Sequence, residues 1–225
     1  MSKIKNIIIY IMSFPKTLYF NLKTFDLKTA LRFPVIVKYN VKIIQTHKNC
    51  IMLKNFAGGQ FYRIKYGFGG SQHICSNKNS IILLGKKGQI EFNGYAEFAE
   101  GISIRCEYGK ISFGKNFSAN KNCCFNCEYD MKIGDDVLLG WNINFRDTDG
   151  HDVYIDNKKS ENQKKVVVGN HVWICSYVDL LKGAEIGNES VVAWKSCVIK
   201  PLNQDNCLIG GSPAKILKEN IKWNK

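Results

Sequence analysis

The sequence predicts an all-β chain wound into a stacked β-helix of six-residue rungs, and three observations carry that expectation. From Val168 the chain divides into sixes without a break: VGNHVW, ICSYVD, LLKGAE, IGNESV and VAWKSC, then VIK before Pro201. Position one is always aliphatic (Val168, Ile174, Leu180, Ile186, Val192, Val198), and position five is modest in size (Val172, Val178, Ala184, Ser190, Ser196). Nineteen glycines, four prolines and many asparagines suit short strands joined by tight corners, because Gly and Asn tolerate positive φ.

A strict period of six belongs neither to a helix, with its period of 3.6, nor to a simple strand, with its period of 2. Three sixes make one triangular turn, in which position one points inward and stacks on its counterpart a coil away. Such coils bury a shared apolar column and are stable only as arrays. The same frame recurs in IGDDVL and LGWNIN (133–144) and in FGKNFS and ANKNCC (113–124), with a looser version in FNGYAE and FAEGIS (92–103). Between Asn144 and Val168 the frame is lost. The polar, turn-rich insert RDTDGHDVYIDNKKSENQKKV reads as a loop leaving the coil, where a rigid scaffold carries catalytic residues. The expected organisation is a basic N-terminal extension (1–65), a β-helix domain (66–211) with a loop at about 146–167, and a C-terminal tail or short helix (212–225).

At 225 residues and 45% hydrophobic, the chain supports one main domain with a real core. Its net charge of +13 is uneven: residues 1–65 hold twelve Lys or Arg against the single acid Asp26. That asymmetry fits a solvated basic face, or an acidic partner such as nucleic acid, anionic lipid headgroups or a phosphorylated acceptor. Nucleic acid is disfavoured, because no recognisable binding module accompanies the charge. Nine cysteines are an odd number without an evident signal peptide, which points to reduced thiols in a cytoplasm. Cys124 and Cys127 have metal-ligand spacing but no second pair to complete a zinc site, so packed core cysteine is the better reading. The apolar stretch Ile4–Phe14 carries Lys5, stops at Pro15 and falls short of the roughly 20 residues that span a bilayer. It either lies in a membrane interface with its lysines on anionic headgroups, or docks on the protein as an amphipathic segment.

The ordered set NFSAN (116–120), DTDGH (147–151), VGNHVWI (168–174), IGNESVV (186–192) and GGSPAK (210–215) resembles the hexapeptide-repeat acetyltransferases, particularly the branch that O-acetylates sugars. The resemblance covers about residues 90–217. It is weaker N-terminally, where FPVIVKYNVKI and IKYGFGG look like the lead-in of polysaccharide O-acetyltransferases. It implies a left-handed parallel β-helix, a homotrimer with active sites between neighbouring subunits, acetyl-CoA as co-substrate, and no metal.

Acetyl transfer to a hydroxyl needs a base, because an alcohol is a poor nucleophile at neutral pH, and histidine is the side chain best matched to that role. Of four histidines, His151 sits in the interrupting loop, where family members keep their base; His171 occupies a corner with a structural role, and His47 and His73 have no motif around them. Asp147 or Asp149 is a candidate to orient the base, though Asp149 beside Gly150 also reads as a plain turn. Asn120 matches the Asn of the acceptor and acetyl site, or else serves a rung corner. By the same likeness Ser176, Ala193 and Trp194 fall at the pantetheine arm, and Lys200 and Lys215 meet the phosphates or adenosine end, unless those lysines are simply solvated. Cys175 replaces the usual Gly, and Trp194 with Lys195 replaces an Ala-Gly pair; Trp194 either blocks the donor groove, stacks on the nucleotide or turns aside.

The expected function is O-acetylation of a capsule or lipopolysaccharide sugar, in the cytoplasm or peripherally at the inner face of the membrane, with the basic N-terminal region near a lipid-linked acceptor. The alternatives are an N-acetyltransferase of an amino sugar and a non-catalytic β-helix scaffold. A metal-dependent carbonic anhydrase needs three suitably placed histidines, and only one lies in an active-looking loop.

Overall fold

The computed structural model describes residues 3–54, 64–71, 74, 76 and 78–224. Three sheets form the faces of a triangular prism. The first holds nine strands, beginning with Val35–Val37 and ending with Ala214–Lys218; the second runs from Lys42–Gln45 to Cys197–Val198 and the third from Ile51–Leu53 to Pro201–Leu202, each with seven. The chain visits first, second and third face in turn, and within each face successive coils pair in parallel.

The six-residue frame translates directly into this register. Val168 pairs with Ile186, Ile174 with Val192 and Leu180 with Val198, so position one meets position one three sixes later, and all six side chains are buried. Upstream the coils are longer: Ala119 pairs with Leu139, twenty residues on, and with Phe98, twenty-one residues back. Strands there have three or four residues instead of two, and the wider prism is filled by rings. Phe92 stacks on Phe113 at 5.3 Å and Phe125 on Phe145 at 4.8 Å, while Phe98 meets Phe117 at 5.3 Å. The added residues per turn are why the frame loosens upstream.

The asparagines do more than tolerate positive φ. At the corner between third and first faces, Asp135 Oδ1 accepts from the Lys115 amide, Asn170 Oδ1 from Asp135, Asn188 Oδ1 from Asn170 and Asp205 Oδ1 from Asn188, at 2.7, 2.8, 2.8 and 2.7 Å. Each coil therefore satisfies a corner N–H of the coil before it, which the sheets themselves cannot reach. The described cysteines are free thiols: Cys127 is buried in register with Cys106, while Cys124, three residues earlier on the same strand, is on the opposite side and only half-buried. His73 and Cys75 lie outside the described residues.

Three expectations change. The coil begins at Val35, not residue 66, because Val35–Val37 pairs with Ile64–Tyr66, Lys42–Gln45 with Ile81–Leu84, and Ile51–Leu53 with Gln89–Phe92. The long connection between Leu53 and Ile64 breaks the six-residue count and conceals this first coil. The C-terminal segment is a strand, not a helix: Ala214–Lys218 turns back antiparallel onto Leu208–Gly211 and covers the last edge of the first face.

Finally, the N-terminal helix does not stop at Pro15 but runs from Lys3 to Thr24. Its buried stripe is polar apart from Phe20, which packs into the core. Ser13 Oγ accepts from the Tyr39 amide at 3.1 Å, Thr17 bonds Val37, and Asn21 Nδ2 donates to the Val35 carbonyl at 2.7 Å while its Oδ1 accepts from the Val35 amide at 3.3 Å. Four helical residues rise about 6 Å and two strand residues about 6.6 Å. Every fourth side chain thus meets every second residue of the open strand edge. These bonds to the strand hold the helix through the proline, whose ring is exposed.

Candidate active site

The corner between the first and second faces carries a column of small residues. Backbone bonds continue the ladder past the strand ends: Asn120 N to Leu139 O at 3.1 Å, Gly140 N to Ile174 O at 2.8 Å, Cys175 N to Val192 O at 2.9 Å and Ala193 N to Ile209 O at 2.8 Å. Asn120, Gly140, Cys175, Ala193 and Gly210 therefore stack one above another, just after the inward-facing residues. With rungs about 4.8 Å apart, the column runs about 19 Å from Asn120 to Gly210. Cys175 is half-buried, and burial raises its thiol, so it presents a small neutral surface.

One residue further along the same corner stand Trp141, Ser176 and Trp194. Trp194 packs edge-on to Trp141 at 5.9 Å and against Tyr177 at 4.9 Å, which holds its ring beside the column and leaves Ala193 partly open. Ser176, expected at the pantetheine arm, is instead buried, and its Oγ accepts from the Trp141 amide at 3.1 Å, which closes the corner. At the foot of the column Lys215 pairs with Gly210 across the C-terminal hairpin and is exposed.

At the head is a cleft of about 520 Å³, lined by Asn120 and roofed by Asn6, Ile9 and Tyr10 of the N-terminal helix. Tyr10 stacks on Phe68 at 5.0 Å. Three lysines share two glutamates in the cleft: Lys38 pairs with Glu100, Lys121 lies 3.7 Å from Glu100, and Lys65 lies 2.9 Å from Glu97. Asn120 Oδ1 accepts from the Ser71 and Lys121 amides, both at 2.9 Å, which fixes the side chain and directs Nδ2 outward as a donor.

The inserted loop leaves from a different corner, between second and third faces. Asp147 is buried and anchors it, accepting from the Glu128 and Tyr129 amides at 2.9 and 2.8 Å. A hairpin follows, Tyr154–Ile155 against Lys158–Lys159, closed by Asp156 and Asn157 at φ 48° and 62°. His151 stands exposed at the bend before it, without a hydrogen bond or ion pair to any described residue. Asp149, a candidate to orient the base, instead binds Lys182 at 2.5 Å, so within the subunit it holds the loop to the coil. Lys200 is also at this corner, in a cleft of about 460 Å³ with Lys164, Lys165 and Lys182, away from the column. His171 is engaged: its Nδ1 lies 2.6 Å from Glu189 and its ring stacks on Trp223 at 4.2 Å.

The structure thus brings Asn120, Ala193, Trp194 and Lys215 to one corner, and His151, Asp149 and Lys200 to another. Trp141, Tyr177 and Lys182 escaped sequence reasoning. Aligning LGWNIN and VAWKSC on the small column position exposes the aromatic that follows it, and in ICSYVD the aromatic comes one residue later. Among the described residues, no group of three His, Cys, Asp or Glu side chains could hold a metal ion.

No family model matches the chain. It is 35% identical over 144 residues to a galactoside O-acetyltransferase of Escherichia coli (strain K12), covering 63% of this chain and 66% of that one. It is 32% identical over 151 residues to a galactoside O-acetyltransferase of Lactococcus lactis, covering 64% and 72%. Among solved structures, the polysialic acid O-acetyltransferase OatWY matches with a TM-score of 0.50 and 27% identity, over 82% of this chain and 70% of that one. The polySia-specific acetyltransferase NeuO shares the fold, with a TM-score of 0.61 and 19% identity over 85% and 84%. The repeat, the small-residue corner and these relatives together place the chain in the hexapeptide-repeat, left-handed β-helix acetyltransferase family, in the branch that O-acetylates sugars.

Proposed function

We propose that this protein moves an acetyl group from acetyl-CoA to a hydroxyl of a bacterial surface polysaccharide, capsule or lipopolysaccharide, and that it works as a homotrimer with active sites between subunits. The observation that carries this reading is the division of the site. Asn120 with the small-residue column, and His151 with its loop, occupy different corners of one prism, and a cyclic trimer sets one copy's first corner beside the next copy's second. The relatives support the acceptor class: two are named for galactosides and one for polysialic acid.

Acetyl-CoA supplies the acetyl group as a thioester. Cys175, Ala193 and Gly210 form the floor for the pantetheine arm, where small residues allow close approach to the backbone, and Trp194 with Trp141 and Tyr177 forms its side wall. Lys215 at the foot and Lys200 of the adjacent copy act as point charges for the phosphates. The acceptor sugar lies in the cleft at the head of the column. His151 takes the proton from its hydroxyl as that oxygen attacks the thioester carbonyl, and Asn120 Nδ2 donates to the carbonyl oxygen that gains charge. As the new ester forms, the C–S bond breaks and the sulfur leaves as the coenzyme A thiol, with the proton returned from His151. Asp149 contributes indirectly, through the Lys182 bond that fixes the loop carrying His151. The enzyme acts in the cytoplasm, at the inner face of the membrane, where a lipid-linked acceptor is within reach.

The direct test is His151→Ala, assayed by release of the coenzyme A thiol in the presence of polysaccharide. Transfer is expected to fall by about 10² or more, the usual contribution of a positioned base, with the circular dichroism spectrum unchanged. Undiminished transfer removes His151 from the role.

A further inference from the structure

The N-terminal helix buries its polar stripe, so its apolar side faces outward. Ile4, Ile7, Ile8, Ile11, Met12 and Phe14 are between 49% and 69% exposed, whereas Ser13, Thr17, Asn21 and Thr24 are at most 4% exposed. Phe20 in the last turns packs into the core, but from Ile4 to Phe14 no apolar side chain is buried, so over that stretch the helix is turned away from the core. Leu27 and Leu31, just beyond it, are 64% and 56% exposed, and Lys23, Lys28 and Arg32 are exposed beside them. An apolar surface of this size is rare on a soluble protein unless something covers it.

We infer that this face is a docking surface for an anionic lipid bilayer, lying in the plane of the membrane interface. The charge selects that occupant: the helix and the turn after it carry Lys3, Lys5, Lys16, Lys23, Lys28 and Arg32 against the single acid Asp26, and basic residues flanking an apolar helical face are attracted to anionic headgroups. The helix inserts without crossing, since among the described residues no helix is long and apolar enough to span a membrane. The polar clamp to Val35–Val37 orients it, because only with Thr17 and Asn21 held against the strand edge does the isoleucine side face away from the prism. In a cyclic trimer the three N-terminal ends lie at one level, so all three helices meet one surface, and avidity adds to the modest affinity of each. The helix also roofs the cleft at Asn120, which brings that cleft close to the membrane plane.

This inference deepens the membrane-face location proposed above, and its test needs no acetyl transfer, so the two readings fail separately. The full chain is sedimented with vesicles of phosphatidylcholine alone or with phosphatidylglycerol, alongside the variant Ile7→Asn/Ile11→Asn. The wild type is expected to bind only the phosphatidylglycerol vesicles and to be released by salt. The variant should bind at least tenfold more weakly, with its melting temperature and acetyl-CoA binding unchanged, because both side chains are exposed. Equal binding of wild type and variant, or equal binding to both vesicle types, would overturn the inference. So would a wild type that binds no vesicles while the variant sediments as a smaller particle, an outcome that assigns the face to a second copy of this chain.

Discussion

Thr17 Oγ1 and the backbone of Val37 bond in both directions: the Val37 amide donates to the hydroxyl at 3.0 Å, and the hydroxyl donates to the Val37 carbonyl at 3.1 Å. A β-helix has an open strand edge at its first coil, and an open edge invites pairing with another chain. Here helical side chains stand in for the missing strand. Thr17→Val keeps the shape but leaves a buried N–H and C=O without partners, which costs about 2 kcal/mol. For a chain of this size that lowers the melting temperature by about 4–8 °C. Thr17→Ser should retain most of the stability. Equal melting of wild type and Thr17→Val would mean that the edge is satisfied in another way.

The part of the fold that is legible in the sequence is the part with two-residue strands and coils of three equal sixes. Position one from Val168 to Val198 can be read because nothing interrupts the count. The first coil is hidden by the long connection after Leu53. The N-terminal helix is obscured because its polar residues look like a solvent side when they are the side that binds. The site is half legible. His151 and Asn120 stand out by motif, but the different corners to which they belong depend on how many residues each coil holds, and that count varies along the prism. For Ser176 and Lys200 the expectation rests on likeness alone, and their surroundings differ from it.

Glu91 predicts how stability depends on pH. Burial pushes its carboxyl up, but hydrogen bonds and charges from Lys110 at 2.8 Å and Lys54 at 3.0 Å outweigh that push and leave it below the ordinary 4.5. A depressed carboxylate stabilises the fold above its unfolded value and loses that contribution as pH falls through the folded value. Glu91→Gln should therefore cost about 1 kcal/mol at neutral pH, since both lysines are partly exposed. The gap from wild type should begin to close as pH falls below 4.5 and vanish once pH has passed the lower folded value. Thermal melts at about pH 7, 5 and 3 check it, and a gap that widens in acid would contradict the sign.

If the small-residue column is the donor floor, its width matters more than its chemistry. Ala193→Leu adds an apolar side chain at a partly open corner and should leave the melting temperature within about 2 °C, as an exposed change usually does. Calorimetric titration should give acetyl-CoA binding at least tenfold weaker, about 1.4 kcal/mol. His151→Ala, far from this corner in the same subunit, should bind acetyl-CoA as the wild type does. Unaltered binding in Ala193→Leu would move the donor away from the column and leave Trp194 without a role there.

The division of the site between corners makes a prediction that a single-subunit site cannot. Asn120→Ala and His151→Ala should each be nearly inactive alone, since each removes one half of every site. When the two variants are co-expressed and assemble at random, an interface is intact wherever a His151→Ala copy supplies its Asn120 and the next copy, Asn120→Ala, supplies its His151. In a cyclic trimer that combination occurs at about a quarter of the interfaces. The whole co-expressed population, homotrimers included, should therefore recover about a quarter of wild-type transfer, whereas separately assembled trimers mixed afterwards should recover none. Absence of recovery in the co-expressed sample would place Asn120 and His151 in the same subunit's site and require the loop to swing across the second face, against the Asp147 anchor and the Asp149 to Lys182 bond that hold its base.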